Sequence, residues 1–99
     1  MMNFDAFLES AQGDEAPPAD LSPELESLWH LKKGNWEASH DIAQDLPSKM
    51  GSRIHGLLHA IEGDFGNAAY WYNRAGETPI TKAQIDSEWE VVVKLALQG

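Results

Sequence analysis

Two histidines one helical turn apart are the residues whose spacing most directly suggests chemistry. His55 and His59 stand at positions i and i+4, and Glu62 follows three residues later. On a helix these side chains lie near one face, in a spacing that can hold Zn²⁺. His30, on a neighbouring helix, is predicted as a third ligand. The histidines therefore indicate either a metal site of His30, His55 and His59 or neutral, hydrogen-bonded packing residues that need no ligand.

The surroundings of these histidines do not match a known catalytic motif. Gly56 follows His55 at the position where a metalloprotease helix needs a glutamate as general base. The sequence has no nucleophile elbow, no glycine-rich phosphate loop and no cysteine, so thiolate chemistry and cysteine-ligated metals are excluded. No catalytic residue is predicted and an enzyme is disfavoured, while zinc is the one cofactor left open. The fourth histidine, His40, is expected to be exposed.

A second group of interest is the aromatic run Tyr70-Trp71-Tyr72. Three successive side chains cover about 200° of a helix surface, which is wider than one buried face of a helix. At least one of the three rings must therefore lie outside that buried face. One interpretation places Tyr72 in the core and covers Tyr70 or Trp71 with Trp89 of the last helix. The other is a ligand-binding face whose arginine would meet an anionic group. The residues of that predicted face are Asn67, Tyr70, Trp71 and Arg74.

Helices are predicted to position all of these residues, because no window alternates apolar and polar side chains as a strand would. Ser22 and Pro23 favour a helix start, and Gly34 favours a stop. Thr81 and Gln84 form a capping box before a last helix with the inward stripe Ile85, Trp89, Val92 and Ala96. The other predicted helices span residues 3–11, 22–33, 35–46, 48–62 and 64–76.

An internal repeat relates two of the predicted helix pairs. A constant offset of 29 residues aligns the pairs Leu28 and Leu57, His30 and His59, Gly34 and Gly63, Asn35 and Asp64, and Trp36 and Phe65. Each copy is predicted as a helix, a glycine-containing turn and a second helix. Such a hairpin cannot bury its apolar face alone and must stack on a neighbour.

The second copy resembles the tetratricopeptide repeat, and the resemblance covers about residues 22–79. The matching positions are Gly63, Asp64, Phe65, Ala68, Tyr72 and Ala75. Gly56 falls seven residues before Gly63, where that family keeps a small residue so that two helices can approach closely. The stretch from Glu62 to Gly76 is also similar to a group of small bacterial proteins of no known activity. The resemblance implies stacked helical hairpins that serve as a protein interaction module.

The charge distribution sets limits on partners. The 99-residue chain has a net charge of −9, and its first 31 residues contain seven acidic side chains and no lysine or arginine. Without a basic stripe, nucleic acid is excluded as a partner. The acidic segment is interpreted as a solvated surface or as a docking site for a basic partner. No apolar run is long enough for a membrane span and no leader is evident, so no membrane partner and a cytoplasmic location are predicted.

These observations predict an all-α protein of two tandem tetratricopeptide-like hairpins with a short N-terminal helix and a C-terminal capping helix. Residues 1–20 are predicted as an acidic helix and linker, and residues 21–99 as the repeat domain. The predicted function is an interaction module for a protein or peptide, a second copy of the chain included. The alternative is a small-molecule or metal-binding protein, an enzyme among the options. It would use His30, His55 and His59 with Tyr70 and Arg74.

Overall fold

The computed structural model describes residues 2–99 and is all-helical, which confirms the predicted fold class. No strand occurs in this part of the chain. The helices are α1 (Phe4–Gly13), α2 (Pro23–Lys33), α3 (Trp36–Ala43), α4 (Lys49–Ile61), α5 (Phe65–Ala75) and α6 (Ile85–Gln98), with a 3₁₀ turn at Lys82–Gln84 before α6. None of the helices within residues 2–99 combines the length and the apolar character that crossing a membrane requires.

Helices α1 to α5 each begin one residue after the first residue of the predicted range. The side chains of Asn3, Ser22 and Ser48 accept a backbone N–H of the first turn of α1, α2 and α4, respectively. At the start of the last helix, the Thr81 N–H donates to Gln84 Oε1 at 2.8 Å. These short-range contacts satisfy amides that a helix leaves unpaired, so local sequence is enough to predict them.

The two turns that the repeat aligns have nearly the same backbone conformation. Gly34 and Gly63 both adopt the left-handed region, with φ of 94° and 85°. Asn35 and Asp64 then cap the following helices at φ and ψ of −101° and 78°, and of −93° and 75°. Glycine is required at each turn because other residues are strained at positive φ. The repeat therefore describes a shared turn geometry as well as a sequence pattern.

Helix α3 is shorter than its predicted range of residues 35–46. It ends at Ala43, where the Gln44 N–H donates to the carbonyl of His40 and the Asp45 N–H donates to the carbonyl of Ile42. Pro47 gives the physical reason, because proline disfavours the α conformation at the residue before it. The chain leaves the helix several residues early and reaches α4 through a tight connection.

The helices pack in pairs, α2 against α3 and α4 against α5, with α1 and α6 closing the core. The buried apolar side chains of α1 are Phe7 and Ala11, and those of α6 are centred on Val92 and Val93. Trp89 packs against Phe7 at a ring distance of 6.1 Å. The prediction that Trp89 covers Tyr70 or Trp71 is wrong, because α1 occupies this side of α6 and takes Trp89 as its own packing partner.

Helices α4 and α5 touch most closely at Gly56. A Cβ atom at this position would lie 2.7 Å from Cδ2 of Tyr72, so only glycine leaves room for the buried ring. The Tyr72 hydroxyl donates to Oε2 of Glu88 at 2.9 Å, and Arg53 binds the same carboxylate through two N–H groups. This network joins α4, α5 and α6 below the candidate site.

Candidate functional site

Three of the four histidines meet at the junction of the two helix pairs. His40 lies on α3, and His55 and His59 lie one turn apart on α4. One ring nitrogen of each lies within 4.8 Å of the others, and Nε2 of His40 is 3.0 Å from Nε2 of His55. We call His40, His55 and His59 the histidine cluster.

The structure does not bring His30 to this cluster. Its Nε2 lies 4.0 Å from Oε1 of Glu26, and its ring packs edge-on against Trp29 at 5.2 Å. His30 and His59 occupy equivalent positions in successive helix pairs, so a repeat separates them instead of bringing them together. The third histidine is His40, which was expected to be exposed but is half-buried against α4.

Two tryptophans enclose the histidine cluster. Trp36 stacks on His40 at 4.8 Å with an interplanar angle of 9°, and its Nε1–H donates to the carbonyl of Leu58 on α4 at 2.9 Å. On the other side, Trp71 of α5 stacks on His55 at 3.8 Å and 12°. Each indole fixes the plane of one imidazole and reduces its contact with water.

The hydrogen bonds of His59 determine its tautomer. Its Nδ1–H donates to Oε1 of Glu62 at 2.5 Å. The other nitrogen, Nε2, accepts from Nδ2 of Asn67 at 3.4 Å. Because the ring proton is on Nδ1 and is donated to Glu62, Nε2 presents a lone pair, the form in which imidazole binds a metal or accepts a hydrogen bond.

His55 is the least satisfied member of the cluster. Its Nδ1 is buried and has no hydrogen-bond partner among the residues the structure describes. Burial, with smaller contributions from His40 and His59, lowers the pKa of His55 from 6.5 to about 4. The imidazole is therefore neutral near pH 7, as a metal ligand must be.

The other predicted site residues form one outward face of α5. Asn67, Tyr70, Trp71 and Arg74 follow the spacing i, i+3, i+4 and i+7, and we call them the Tyr70 face. Tyr70 is 53 % exposed and its ring lies edge-on to Trp71 at 5.2 Å. Nη1 of Arg74 donates to the Tyr70 hydroxyl at 3.2 Å, and its guanidinium lies 5.4 Å from the Trp71 ring.

The histidine cluster and the Tyr70 face are adjacent. Trp71 belongs to the face and stacks on His55, and Asn67 belongs to the face and reaches His59. The arrangement offers neutral imidazole nitrogens on the inside and an aromatic surface with one cation on the outside. These groups can bind a metal ion and an anionic group, respectively.

Sequence reasoning missed two residues of this region, Trp36 and His40. Their spacing of four residues on α3 places both rings on one helix face, which is the signal that could have indicated them. Helix α3 turns this face toward α4 because of the way the helix pairs dock. The spacing of residues within one helix carries no information about that docking.

No protein-family model, curated protein or solved structure matches the chain. The inference of its function therefore rests on the residues described above.

Proposed function

We propose that the chain is a protein interaction module of the tetratricopeptide-like helical-repeat type that binds a peptide segment through the Tyr70 face. Paired helices α2–α3 and α4–α5, with turns of the same conformation at Gly34 and Gly63, support the repeat assignment. Helical repeats of this kind present side chains of one helix on an open surface, where a partner can reach them. Helices α1 and α6 then act as the flanking elements that close the core.

The observation that carries the proposal is the exposed and pre-ordered Tyr70 side chain. Its ring is 53 % exposed, yet Trp71 packs against it and Arg74 holds its hydroxyl. Tyrosine, tryptophan and arginine are the residue types that contribute most to binding energy at protein interfaces. Because neighbouring side chains already hold Tyr70 in place, its side chain loses less conformational entropy when a partner binds.

Arg74 specifies the chemistry of the partner. Within residues 2–99 no carboxylate forms an ion pair with its guanidinium, so donor groups remain for a carboxylate of a bound peptide. The net charge of −9 repels a run of acidic residues at long range. We therefore expect a segment with a single Asp, Glu or C-terminal carboxylate next to apolar side chains, which would pack on Tyr70 and Trp71.

Selection from a phage-displayed library of random peptides tests this proposal. The wild-type chain is the target, and enriched peptides are synthesised and titrated by fluorescence polarisation. Arg74→Gln and Tyr70→Ala are each expected to weaken binding about tenfold or more. Replacing the peptide carboxylate by its amide should weaken binding to the wild type and leave binding to Arg74→Gln unchanged.

Lys94→Gln is the matched control, because Lys94 is an exposed cation on α6 whose Nζ pairs with Glu90. It should bind the selected peptides as the wild type does. Enrichment of no peptide, or equal binding by wild type, Arg74→Gln and Tyr70→Ala, would contradict the proposal. Sedimentation equilibrium of the free chain separates peptide binding from binding of a second copy.

A further inference from the structure

We propose that His40, His55 and His59 form a binding site for a divalent transition-metal ion, with Zn²⁺ as its occupant. This site uses different residues from the proposed peptide-binding face on the outer surface of α5, although Trp71 and Asn67 of that face contact His55 and His59. Imidazole nitrogens are common ligands of zinc and of its neighbours in the first transition row. Three such nitrogens at one place in a chain with four histidines are the starting observation.

The distances between the nitrogens suit a small ion. In a tetrahedral zinc site with Zn–N bonds of about 2.0–2.1 Å, ligand nitrogens lie about 3.3 Å apart. Nε2 of His40 and Nε2 of His55 are 3.0 Å apart, and the ligand atoms of all three rings lie within 4.8 Å of one another. A small rotation of the rings toward a common centre brings them to coordination distance.

The contact between His40 and His55 is the kind that a metal ion can replace. Two neutral imidazoles joined Nε2 to Nε2 share one proton, since one nitrogen donates and the other accepts. A cation between the two lone pairs takes the place of that proton. The ring that donated this proton then carries it on Nδ1 instead of Nε2, so both imidazoles stay neutral as ligands and no net proton is released.

Glu62 prepares the third ligand. Its carboxylate accepts the Nδ1–H of His59, so the lone pair is on Nε2, where a metal ion would replace the 3.4 Å hydrogen bond from Asn67 Nδ2. A carboxylate behind a histidine is a common outer-shell partner of zinc ligands, because it fixes the ring and raises its basicity. The carboxylates of Glu62 and Asp64 also lie within 4.8 Å of a His59 nitrogen and add negative charge beside the site.

Stacking holds two rings of the histidine cluster in place, and one nitrogen of His55 has no partner there. Buried polar atoms in folded proteins nearly always have a hydrogen-bond partner, so three packing histidines should satisfy one another. Nδ1 of His55 is buried without a partner in the described residues. The stacked rings of Trp36 and Trp71 hold His40 and His55 in place, so the cluster is ordered but not satisfied.

Titration with Co²⁺ and Zn²⁺ tests the site directly. The chain is purified without a histidine tag, treated with a chelator, dialysed, and titrated with Co²⁺ while the visible absorption of tetrahedral cobalt is followed. Zn²⁺ is then added to displace the cobalt, and calorimetry gives its stoichiometry. We expect one ion per chain, and affinity reduced about tenfold or more in His40→Gln and in His59→Gln.

His30→Gln is the matched control, because it removes a partly buried histidine that lies outside the cluster. It should bind metal as the wild type does. The proposal is overturned if the wild type gives no tetrahedral cobalt spectrum, or if His30→Gln loses as much affinity as His40→Gln. Circular dichroism verifies folding, and should His59→Gln unfold, His40→Gln at its half-buried position decides the question by itself.

Discussion

At the residue scale, His55 has the most unusual environment among the titratable side chains of the site. Its ring lies between Trp71 on one side and His40 and His59 on the other, and it is 6 % exposed. Protonation would place a charge beside two other imidazoles with little water to stabilise it. The folded state therefore strongly favours the neutral ring.

This preference predicts that the metal-free protein loses stability in acid. The pKa of His55 is about 4 in the folded state, against 6.5 as its ordinary value, so the unfolded chain binds the extra proton between these pH values. The free energy of unfolding should fall as the pH drops from about 6.5 to 4, by at most about 3 kcal/mol from this residue. Below pH 4 both states are protonated and this contribution stops changing.

Urea denaturation at a series of pH values, with chelator present, measures this effect. His55→Gln cannot take up the proton and should show a shallower decrease than the wild type. His40 and His59 face His55 from α3 and α4, and Glu62 lies behind His59, so the comparison keeps these groups unchanged. Equal slopes for the two proteins would show that His55 does not cause the acid sensitivity.

At the element scale, the contact between α4 and α5 determines where the site residues stand. Gly56 permits the close approach of Tyr72, and the same approach brings Trp71 onto His55 and Asn67 within reach of His59. The glycine expected from the repeat resemblance to allow close helix approach does so here. A structural glycine in the interior of α4 thus sets the geometry of the neighbouring histidine cluster.

Gly56→Leu should therefore destabilise the protein by about 1–3 kcal/mol, because the side chain would overlap the Tyr72 ring. Thermal melting followed by circular dichroism measures the change. Gly66→Ala on α5 is the control, since its Cβ would meet no atom within 4 Å. This control should stabilise the protein by up to about 1 kcal/mol through helix propensity. An unchanged melting temperature in Gly56→Leu would rule out the packing role of the glycine.

The elements also show what local sequence can and cannot predict. Ser22, Gly34 and Ser48 act within one turn of their own positions, so the helix ends they cause were predictable. The membership of His40 in the cluster depends on how α3 docks against α4, an arrangement set by contacts between residues far apart in sequence. The repeat indicated His30 because it aligns this residue with His59. The histidine cluster instead forms between the two helix pairs, from residues of α3 and α4.

At the scale of the whole molecule, the acidic N-terminal helix is part of the core. Phe7 is fully buried, and the Trp29 indole N–H on α2 donates to Oγ of Ser10 at 3.0 Å. The cation of Lys94 lies 5.2 Å from the Phe4 ring and holds α1 to α6 from the outside. The acidic side chains of α1 can point to solvent while its apolar face packs against α2 and α6.

Phe7→Ala should cost about 3–5 kcal/mol of stability, because it removes a fully buried ring and leaves a cavity beside Trp89. Phe65→Ala removes the same group at a position that is 38 % exposed and should change stability by about 0.5 kcal/mol or less. Guanidinium denaturation of the two variants compares them. Equal losses would mean that α1 is not docked as described.

The histidine cluster joins residues from both sides of the connection between α3 and α4. Residues 2–43 supply Trp36 and His40, and residues 49–99 supply His55, His59 and Trp71. Cutting the chain at Pro47 would therefore divide the site between two fragments, neither of which holds three histidines of the cluster. The two fragments would regain the histidine cluster only by reassociating. Formation of the cluster would therefore report complementation between the two halves of this fold.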